Sequence, residues 1–324
     1  MRARLILNGK KADRLDVRAA VATLRGAGHD LEVRVTWEQG DALRMVAEAA
    51  ADGVTRVIAG GGDGSVNEVA TGLFALPTDQ RPVLGILPLG TANDFATACG
   101  IPLEPSAALQ LALTGEPAGI DGGRCNDSIF VNVASGGFGA EITADTPVAL
   151  KNFLGGGAYT LMGLLKAIDF HPYEVSIRTP IGDLSGTFVV AAICNGRQAG
   201  GGQQLAPSAL IDDGLLDVVF LRPFPVASIP QVIDEVLHRR DDGRFVVHRQ
   251  LPWVEIGATE PVPVNLDGEP LRASRFRFVC EPGSLRLVVP PSCPCLIRSR
   301  PLHDTGHSES ETGRYGQQVQ RGRG

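Results

Sequence analysis

A glycine-rich segment at residues 57–68 constrains the fold of this 324-residue chain more than any other stretch. A short β-branched run leads into Gly60-Gly61-Gly62-Asp63-Gly64, and Ser65 and Glu68 follow at the spacing of a capping box. This pattern predicts a strand, a tight turn and a helix that opens at Ser65. Free amides at such a helix start favour an anion, and glycines let that anion approach the main chain closely. The segment therefore predicts a phosphate-binding turn, in which a divalent cation would lie between the Asp63 carboxylate and the phosphate.

The same segment is also compatible with an ordinary strand-to-helix turn whose glycines serve packing alone. It contains neither the GxxxxGK[ST] loop nor a GxGxxG fingerprint with an acidic residue about 20 positions later. A nucleotide at this turn would therefore use neither a Walker loop nor an ordinary Rossmann fingerprint.

Length and composition limit the possible classes of protein. The chain is long enough for two modest domains, and 44% hydrophobic residues can build their cores. A net charge of −6 and a pI near 5.6 argue against a nucleic-acid partner. The six cysteines form no CxxC pair and no zinc spacing with histidine. Because there is neither a secretory signal pattern nor a run of 18 apolar residues, we expect a cytoplasmic protein without a transmembrane segment.

The order of predicted elements changes along the chain. In residues 1–122 strands alternate with helices, which predicts an α/β nucleotide-binding domain with a parallel, Rossmann-like sheet. In residues 123–297 strand-like runs follow one another, which predicts an antiparallel, β-sandwich-like domain. The polar tail, residues 298–324, is predicted to be disordered.

A second turn repeats the logic of the first. Residues 84–95 read as a strand, a Pro/Gly turn and a helix over Thr91–Cys99, with Thr91 as the predicted N-cap. Thr91 could serve only as that cap. Ligands of parallel sheets bind at the carboxyl ends of the strands, where Asn8, Thr36 and both glycine turns are predicted to lie.

The two turns together resemble a known family. Gly61-Gly62-Asp63-Gly64-Ser65-Val66-Asn67-Glu68 and Pro88-Leu89-Gly90-Thr91-Ala92-Asn93-Asp94-Phe95 are similar to the catalytic domain of diacylglycerol kinases. Residues 35–41, 195–205 and 265–271 resemble, more narrowly, the YegS-type bacterial lipid kinases. The resemblance covers residues 5 to about 295, and it departs from the family at Ser65, where threonine is usual.

The resemblance implies the residues of an ATP site and an acceptor for a proton. The ATP-binding residues would be Thr36, Gly62, Asp63, Gly64, Ser65, Val66, Asn67, Glu68 and Thr91. Glu269 would accept the proton of the lipid hydroxyl, and Asp63 would position Mg²⁺ on the phosphates, so both are candidate catalytic residues. Taken alone, Glu269 would be read as a solvated turn residue after Asp267-Gly268.

The resemblance also implies a second cation site. Its ligands would be the main-chain carbonyls of Leu210 and Leu215 and the carboxylate of Asp213. Oxygen ligands suit Mg²⁺ or Ca²⁺ and do not suit zinc. Without the resemblance, residues 210–217 would be an ordinary Asp-Gly turn.

The resulting hypothesis is an ATP-dependent lipid kinase that makes transient peripheral contact with a membrane. It would transfer the γ-phosphate to a free hydroxyl of a glycerol-type lipid, of the phosphatidylglycerol or diacylglycerol class. A soluble-metabolite kinase of the NAD-kinase type and a non-catalytic nucleotide or lipid sensor are the alternatives. An apolar stripe on a predicted helix over Leu150–Ile168 would line an acyl cleft or face the core.

Overall fold

The structure is a computed structural model that describes residues 2–137, 172–238 and 243–297. The predicted helix over Leu150–Ile168, with its apolar stripe, and the predicted disordered tail lie outside the described residues.

The N-terminal region alternates strands and helices as predicted. Its strands are β1 (Arg2–Asn8), β2 (Asp30–Thr36), β3 (Arg56–Gly61) and β4 (Val83–Pro88), and its helices are α1 (Leu15–Gly26), α2 (Asp41–Ala51), α3 (Asp63–Phe74), α4 (Asp94–Ala98) and α5 (Pro105–Thr114). The strands pair in parallel in the order β2-β1-β3-β4, so all four carboxyl ends meet at one edge. Short 3-10 turns follow β1 and α3, at Gly9–Lys11 and Thr78–Gln80.

Helices cover both faces of this parallel sheet. The apolar sides of α1 and α5 pack on one face through residues such as Val21 and Leu109. The opposite face is covered by α2, α3 and α4, whose buried residues include Met45, Leu73 and Phe95. A parallel sheet buried on both faces is the arrangement in which a ligand binds at the strand ends.

The C-terminal region is built mostly from antiparallel strands. These are β5 (Pro117–Cys125), β6 (Ser128–Phe130), β7 (Val133–Gly137), β8 (Tyr173–Arg178), β9 (Leu184–Phe188), β10 (Val190–Cys194), β11 (Gln198–Ala199), β12 (Gln203–Gln204), β13 (Leu216–Leu221), β14 (Val246–Leu251), β15 (Trp253–Leu266) and β16 (Glu269–Val288). A 3-10 turn at Val226–Ser228 precedes the helix α6 (Ile229–His238). The predicted combination of a parallel N-terminal sheet and an antiparallel, sandwich-like C-terminal region is confirmed.

One long hairpin joins the two regions. Strand β16 pairs antiparallel with β15 and β5, and near its end Leu287 pairs in parallel with Leu84 of β4. The parallel strands and most of the antiparallel ones therefore form a single hydrogen-bonded sheet. The predicted boundary between residues 122 and 123 falls inside β5.

Several elements differ from the sequence prediction. The sequence contains two strand-like runs, Trp253–Ile256 and Val262–Leu266, but both belong to one strand, β15, with a register shift between Gly257 and Val262. In the same way β16 continues through a shift between Glu281 and Leu285. Helix α5 and strand β5 were not predicted. Polar and proline residues at a bulge interrupt the sequence pattern without ending the strand.

Among the residues that the structure describes, no helix has the length and hydropathy needed to cross a bilayer.

Candidate active site

The two glycine turns touch each other. A side-chain carbon added to Gly90 would lie 2.5 Å from the Cα atom of Gly62, and the amide of Leu89 donates to the carbonyl of Gly61 at 2.7 Å. Only glycine allows two backbones to come this close. The two sets of turn amides expected from the sequence thus lie side by side at the ends of β3 and β4.

Helix α3 starts earlier than predicted, so the proposed capping box is wrong. Gly62 is the N-cap and makes no side-chain capping bond, and Asp63 is the first helical residue. The Ser65 hydroxyl instead accepts a hydrogen bond from the Asn8 side chain at 3.1 Å. The amides of residues 62–65 are the first four of the helix and have no partner within it. The anion-binding end of α3 is therefore the glycine turn itself.

Thr91 is not a helix cap either. Helix α4 begins at Asp94, and the residue before it is Asn93, in the left-handed region with φ 52°. The Asn93 side chain holds the turn by accepting from the Gly90 amide at 2.7 Å and donating to the Gly90 carbonyl at 3.0 Å. Thr91 is exposed on this braced loop, so its hydroxyl is open to a ligand.

The cap of α4 comes from the other glycine turn. The Asp63 carboxylate accepts from the amides of Asp94 and Phe95, each at 3.1 Å. A carboxylate at this position satisfies helix amides and complements the helix dipole. Each carboxylate oxygen has a second lone-pair site, so Asp63 can still face a cation or a water molecule.

Asp94 joins α4 to the glycine loop of the C-terminal region, a role that the sequence analysis missed. Its buried carboxylate accepts from the amides of Gly201 at 2.9 Å and Gly202 at 2.6 Å. Burial raises the pKa of Asp94, the two amides lower it, and the charge of Asp63 raises it further. Both glycines have positive φ, 91° and 95°, so the loop presents adjacent amides to one carboxylate. The three successive glycines at 200–202 were the feature of the sequence that could have indicated this loop.

The Asp267-Gly268 turn places Glu269 at the start of β16. Both turn residues have positive φ, 50° and 105°, as a two-residue hairpin requires. The Asp267 carboxylate accepts from the amides of Val131 at 2.6 Å and Val133 at 2.8 Å, and from that of Asn132 at 3.2 Å. The base of the turn is therefore fixed, while Glu269 itself is exposed.

Electrostatic coupling shows that this hairpin and α3 face each other. Burial raises the pKa of Glu68, and the charge of Glu269 raises it further. The charge of Asp63 also contributes to the raised pKa of Asp267, after burial as the main cause. Thr36 ends β2, which is separated from β3 only by β1. The charges of Glu269 and Glu68 thus lie close enough to influence each other, and Thr36 lies two strands along the same edge of the sheet.

Asp267 provides a test through the pH dependence of stability. Burial raises its pKa from 3.8 to about 6 in the folded protein. Between these two pKa values the folded state binds more protons than the unfolded state, so the contribution of Asp267 to stability falls as pH rises and levels off above about 6. In urea unfolding at pH 4 to 7, we expect the stability difference between wild type and Asp267→Asn to shrink as pH rises. A difference independent of pH would contradict this assignment.

The turn before β13 forms a separate acidic cluster. Asp213 accepts from the Leu215 amide at 3.0 Å, and Asp121 accepts from the Gly214 amide at 2.7 Å. The pKa of Asp213 is raised to about 6, mainly by burial and in addition by the charges of three neighbouring aspartates, Asp217, Asp121 and Asp212. A divalent cation would relieve this concentration of negative charge, so the oxygen donors of Leu210, Asp213 and Leu215 fit Mg²⁺ or Ca²⁺.

Side chains alone do not form a metal centre in the described part of the chain, where no group of three or more His, Cys, Asp or Glu residues is arranged to hold an ion. The predicted set differs from such a centre, because two of its three ligands are main-chain carbonyls. Asp121, which the sequence analysis also missed, connects this turn to β16 by accepting from the Gly283 amide at 2.8 Å.

Two other polar groups have structural roles. Arg197 donates to the carbonyls of Ala209 at 2.9 Å and Pro294 at 2.5 Å. Buried Asn195 donates to the carbonyls of Val131 at 2.7 Å and Asp121 at 3.1 Å. A cavity of about 40 Å³ in the C-terminal core has an almost wholly apolar lining, including Phe188, Phe220 and Phe276, and so lacks the groups for phosphoryl transfer.

Comparisons with known proteins agree with this division of the chain. Residues 2–125 match the family described as the diacylglycerol kinase catalytic domain, and residues 132–289 match the YegS C-terminal NAD kinase beta sandwich-like domain. A Shewanella frigidimarina protein named "Probable lipid kinase YegS-like" is 51% identical over 91% of this chain and 96% of its own. A Chromohalobacter salexigens protein of the same name is 52% identical over 88% of this chain and 92% of its own.

Solved structures show the same fold. A crystal structure from Bacillus anthracis str. Sterne, of a "putative diacylglycerol kinase", superposes with a TM-score of 0.77. It is 26% identical in sequence and covers 90% of this chain and 96% of its own.

Proposed function

Because this chain belongs to the YegS-like family of lipid kinases, we propose that it transfers the γ-phosphate of ATP to a free hydroxyl group of a glycerol-type lipid. The observation that supports the proposal is the contact between the two glycine turns, together with the interaction of charges between α3 and the hairpin that bears Glu269. The turns supply main-chain donors for phosphate, and the hairpin supplies a carboxylate for an alcohol. Phosphatidylglycerol and diacylglycerol both carry a suitable hydroxyl.

ATP would bind along the carboxyl edge of the parallel sheet. The unpartnered amides at the start of α3, residues 62–65, face the position expected for the phosphates. Thr91 lies on the neighbouring braced turn, and Thr36 ends the outermost strand, β2. The nucleotide contacts would therefore come from Thr36, from residues 62–68 and from Thr91.

Glu269 would orient the acceptor hydroxyl and take its proton. The hydroxyl oxygen forms a bond to the γ-phosphorus, the bond from that phosphorus to the β,γ-bridging oxygen breaks, and ADP leaves. Phosphoryl transfer passes through a loose transition state, so alignment of the acceptor and neutralisation of charge account for most of the catalysis. A carboxylate on a hairpin fixed by three amide contacts to Asp267 is well placed for such alignment.

The residues present also fit divalent cations. When bound with the nucleotide, Mg²⁺ neutralises phosphate charge, and Asp63 is the side chain at the glycine turn that would position it. The second site would use Leu210, Asp213 and Leu215. Its Asp121 neighbour connects to β16, the strand that Glu269 begins, so a cation there would stabilise the arrangement of the C-terminal region.

Removal of this second site has a measurable consequence. We expect Mg²⁺ or Ca²⁺ to raise the thermal midpoint of the wild-type protein by about 3 °C or more, because a ligand that binds only the folded state stabilises it. Asp213→Asn should abolish most of this shift. Differential scanning fluorimetry with and without chelator measures it.

Asp212→Asn is the matched control, since it removes the same charge one residue away, where the carboxylate accepts from the Ile297 amide at 2.9 Å. That variant should keep the shift. If the cation raises the thermal midpoint equally in wild type and Asp213→Asn, the cation does not bind at this turn.

The acceptor class is tested by incubating the protein, labelled ATP and Mg²⁺ with mixed micelles of total bacterial lipids and separating the products by chromatography. A labelled lipid supports the proposal, and its mobility identifies the class. Label on NAD alone would favour a soluble-metabolite kinase. Nucleotide binding with no product from any lipid extract would favour a sensor. A lipid substrate also implies that a cytoplasmic enzyme would contact the membrane surface transiently.

A further inference from the structure

One large aromatic side chain at the nucleotide edge is left uncovered. Trp37 directly follows Thr36, and 93% of its surface is exposed. Trp253, by contrast, is partly buried and lies beside Arg277. Tryptophan carries a large apolar surface and is highly buried on average in folded proteins. Such exposure at the edge of a proposed binding site calls for a partner.

Hydrogen bonds to Asp41 fix the backbone of the loop that carries Trp37. The Asp41 carboxylate accepts from the amides of Trp37 at 2.7 Å and Glu38 at 3.1 Å, and Arg44 pairs with the same carboxylate at 2.6 Å. The Trp37 amide is the main cause that lowers the pKa of Asp41 to about 2. Asp41 is therefore ionised at any working pH, and its hydrogen bonds fix the backbone from which the exposed indole projects.

The position of Trp37 relative to the phosphate turn matches the length of a nucleotide. Strands β3, β1 and β2 are consecutive neighbours in the sheet. Two strand spacings of about 4.8 Å put the end of β2 roughly 10 Å from the glycine turn that follows β3. That is the order of the separation between the phosphates of a nucleotide and its base.

The turn that follows β1 lies between these two positions and packs closely against the end of β2. A side-chain carbon at Gly9 would lie 2.3 Å from the carbonyl oxygen of Thr36, so the loop after β1 passes close to the end of β2. The next residue, Lys10, is exposed and adds positive charge to this loop. A nucleotide that reached from the glycine turn to Trp37 would therefore pass over this turn, beside Lys10.

We propose that Trp37 is the residue on which the adenine of ATP stacks. This inference rests on the proposed use of ATP, and it names the side chain that selects a nucleotide over a bare polyphosphate. A flat base against an indole gains stacking and apolar contact that no phosphate group can provide.

Two ligands separate base recognition from phosphate recognition. ATP carries a base, whereas inorganic tripolyphosphate presents only the chain that the glycine turns would bind. In isothermal titration calorimetry we expect Trp37→Ala to weaken ATP binding by about tenfold, and Trp37→Phe by a smaller factor. Tripolyphosphate affinity should be equal in all three proteins. Leu103→Ala is the control, because it removes a 55% exposed apolar side chain from the loop between α4 and α5. It should leave the affinity for both ligands unchanged.

Fluorescence gives a second readout, since the chain has two tryptophans. ATP should quench emission of the wild-type protein in a saturable way, and the quenching should be absent in Trp37→Phe, where Trp253 remains. Equal loss of affinity for ATP and tripolyphosphate in Trp37→Ala would overturn the proposal, as would unchanged ATP affinity. A blue shift on vesicles of phosphatidylglycerol, with no response to ATP, would assign Trp37 to the membrane surface instead.

Failure of this inference is distinguishable from failure of the proposed function. If the protein phosphorylates a lipid and Trp37→Ala binds ATP normally, only the stacking role is wrong. If ATP quenches Trp37 but no lipid accepts phosphate, the stacking role holds and the kinase assignment is wrong.

Discussion

Replacing Glu269 with glutamine is expected to lower kcat by about a thousandfold, within the range that a positioned general base contributes. Glutamine keeps the shape of the side chain but cannot accept the hydroxyl proton. The dissociation constant for ATP should stay within about twofold of wild type, because Glu269 belongs to the hairpin and the nucleotide contacts belong to the sheet edge. Steady-state turnover with a lipid acceptor and calorimetry with ATP measure the two quantities.

Glu281→Gln is the matched control for this experiment. Glu281 lies on the same strand, β16, and pairs with Arg124 at 2.6 Å on a partly exposed surface. Its replacement should leave turnover close to wild type, since exposed ion pairs contribute little to stability. Near-normal turnover in Glu269→Gln would exclude the proposed proton acceptor, while comparable losses in both variants would indicate a general defect of the strand.

Replacing Asp63 is the second change with a large expected effect, and two variants separate its two roles. Asp63→Ala removes the cap of α4, at a cost of about 1 kcal/mol, together with the carboxylate that would position Mg²⁺. Asp63→Asn keeps an oxygen that can accept from Asp94 or Phe95 but has no charge. We expect both variants to lose at least about a hundredfold in turnover, because electrostatic stabilisation of the transferring phosphate is lost.

The measurement is turnover as a function of Mg²⁺ concentration, together with urea unfolding. Asp63→Asn should retain most of the stability and still lack activity at every Mg²⁺ concentration. Glu104→Ala is the control for capping alone, since Glu104 accepts from the Ser106 and Ala107 amides at the start of α5, at 2.9 and 2.6 Å. The Glu104→Ala variant should be less stable than wild type and should keep wild-type turnover. If Asp63→Asn is fully active, the carboxylate serves only as a cap.

The local conformations at the site could be predicted from the sequence, because each depends on a short run of residues. Gly62 and Gly90 each stand where a strand turns into a helix, and Asp267-Gly268 has the composition of a two-residue hairpin. The helix starts were placed wrongly at Ser65 and Thr91. A hydroxyl side chain at a helix start is a good signal for a cap, but here glycine turns and a distant carboxylate take that role.

Contacts between distant segments could not be predicted in the same way. The Asp63 carboxylate caps a helix 31 residues later, and Asp94 accepts from the amides of a loop more than 100 residues away. The pairing of β16 with β4 also joins two segments about 200 residues apart in the chain, Leu84 and Leu287. None of these contacts leaves a periodic pattern in the sequence, because an aspartate that caps a distant helix looks like any other polar residue.

By itself, the sequence determined the class of fold, the change from alternating strands and helices to successive strands, and the positions of the glycine turns, because backbone preferences of glycine, proline and β-branched residues act locally. Only the tertiary structure decided that Asp63 caps α4, that Asp94 joins the two regions, and that Trp37 stays exposed. Those outcomes depend on which strand ends become neighbours in the sheet, and that order is set by packing of the whole chain.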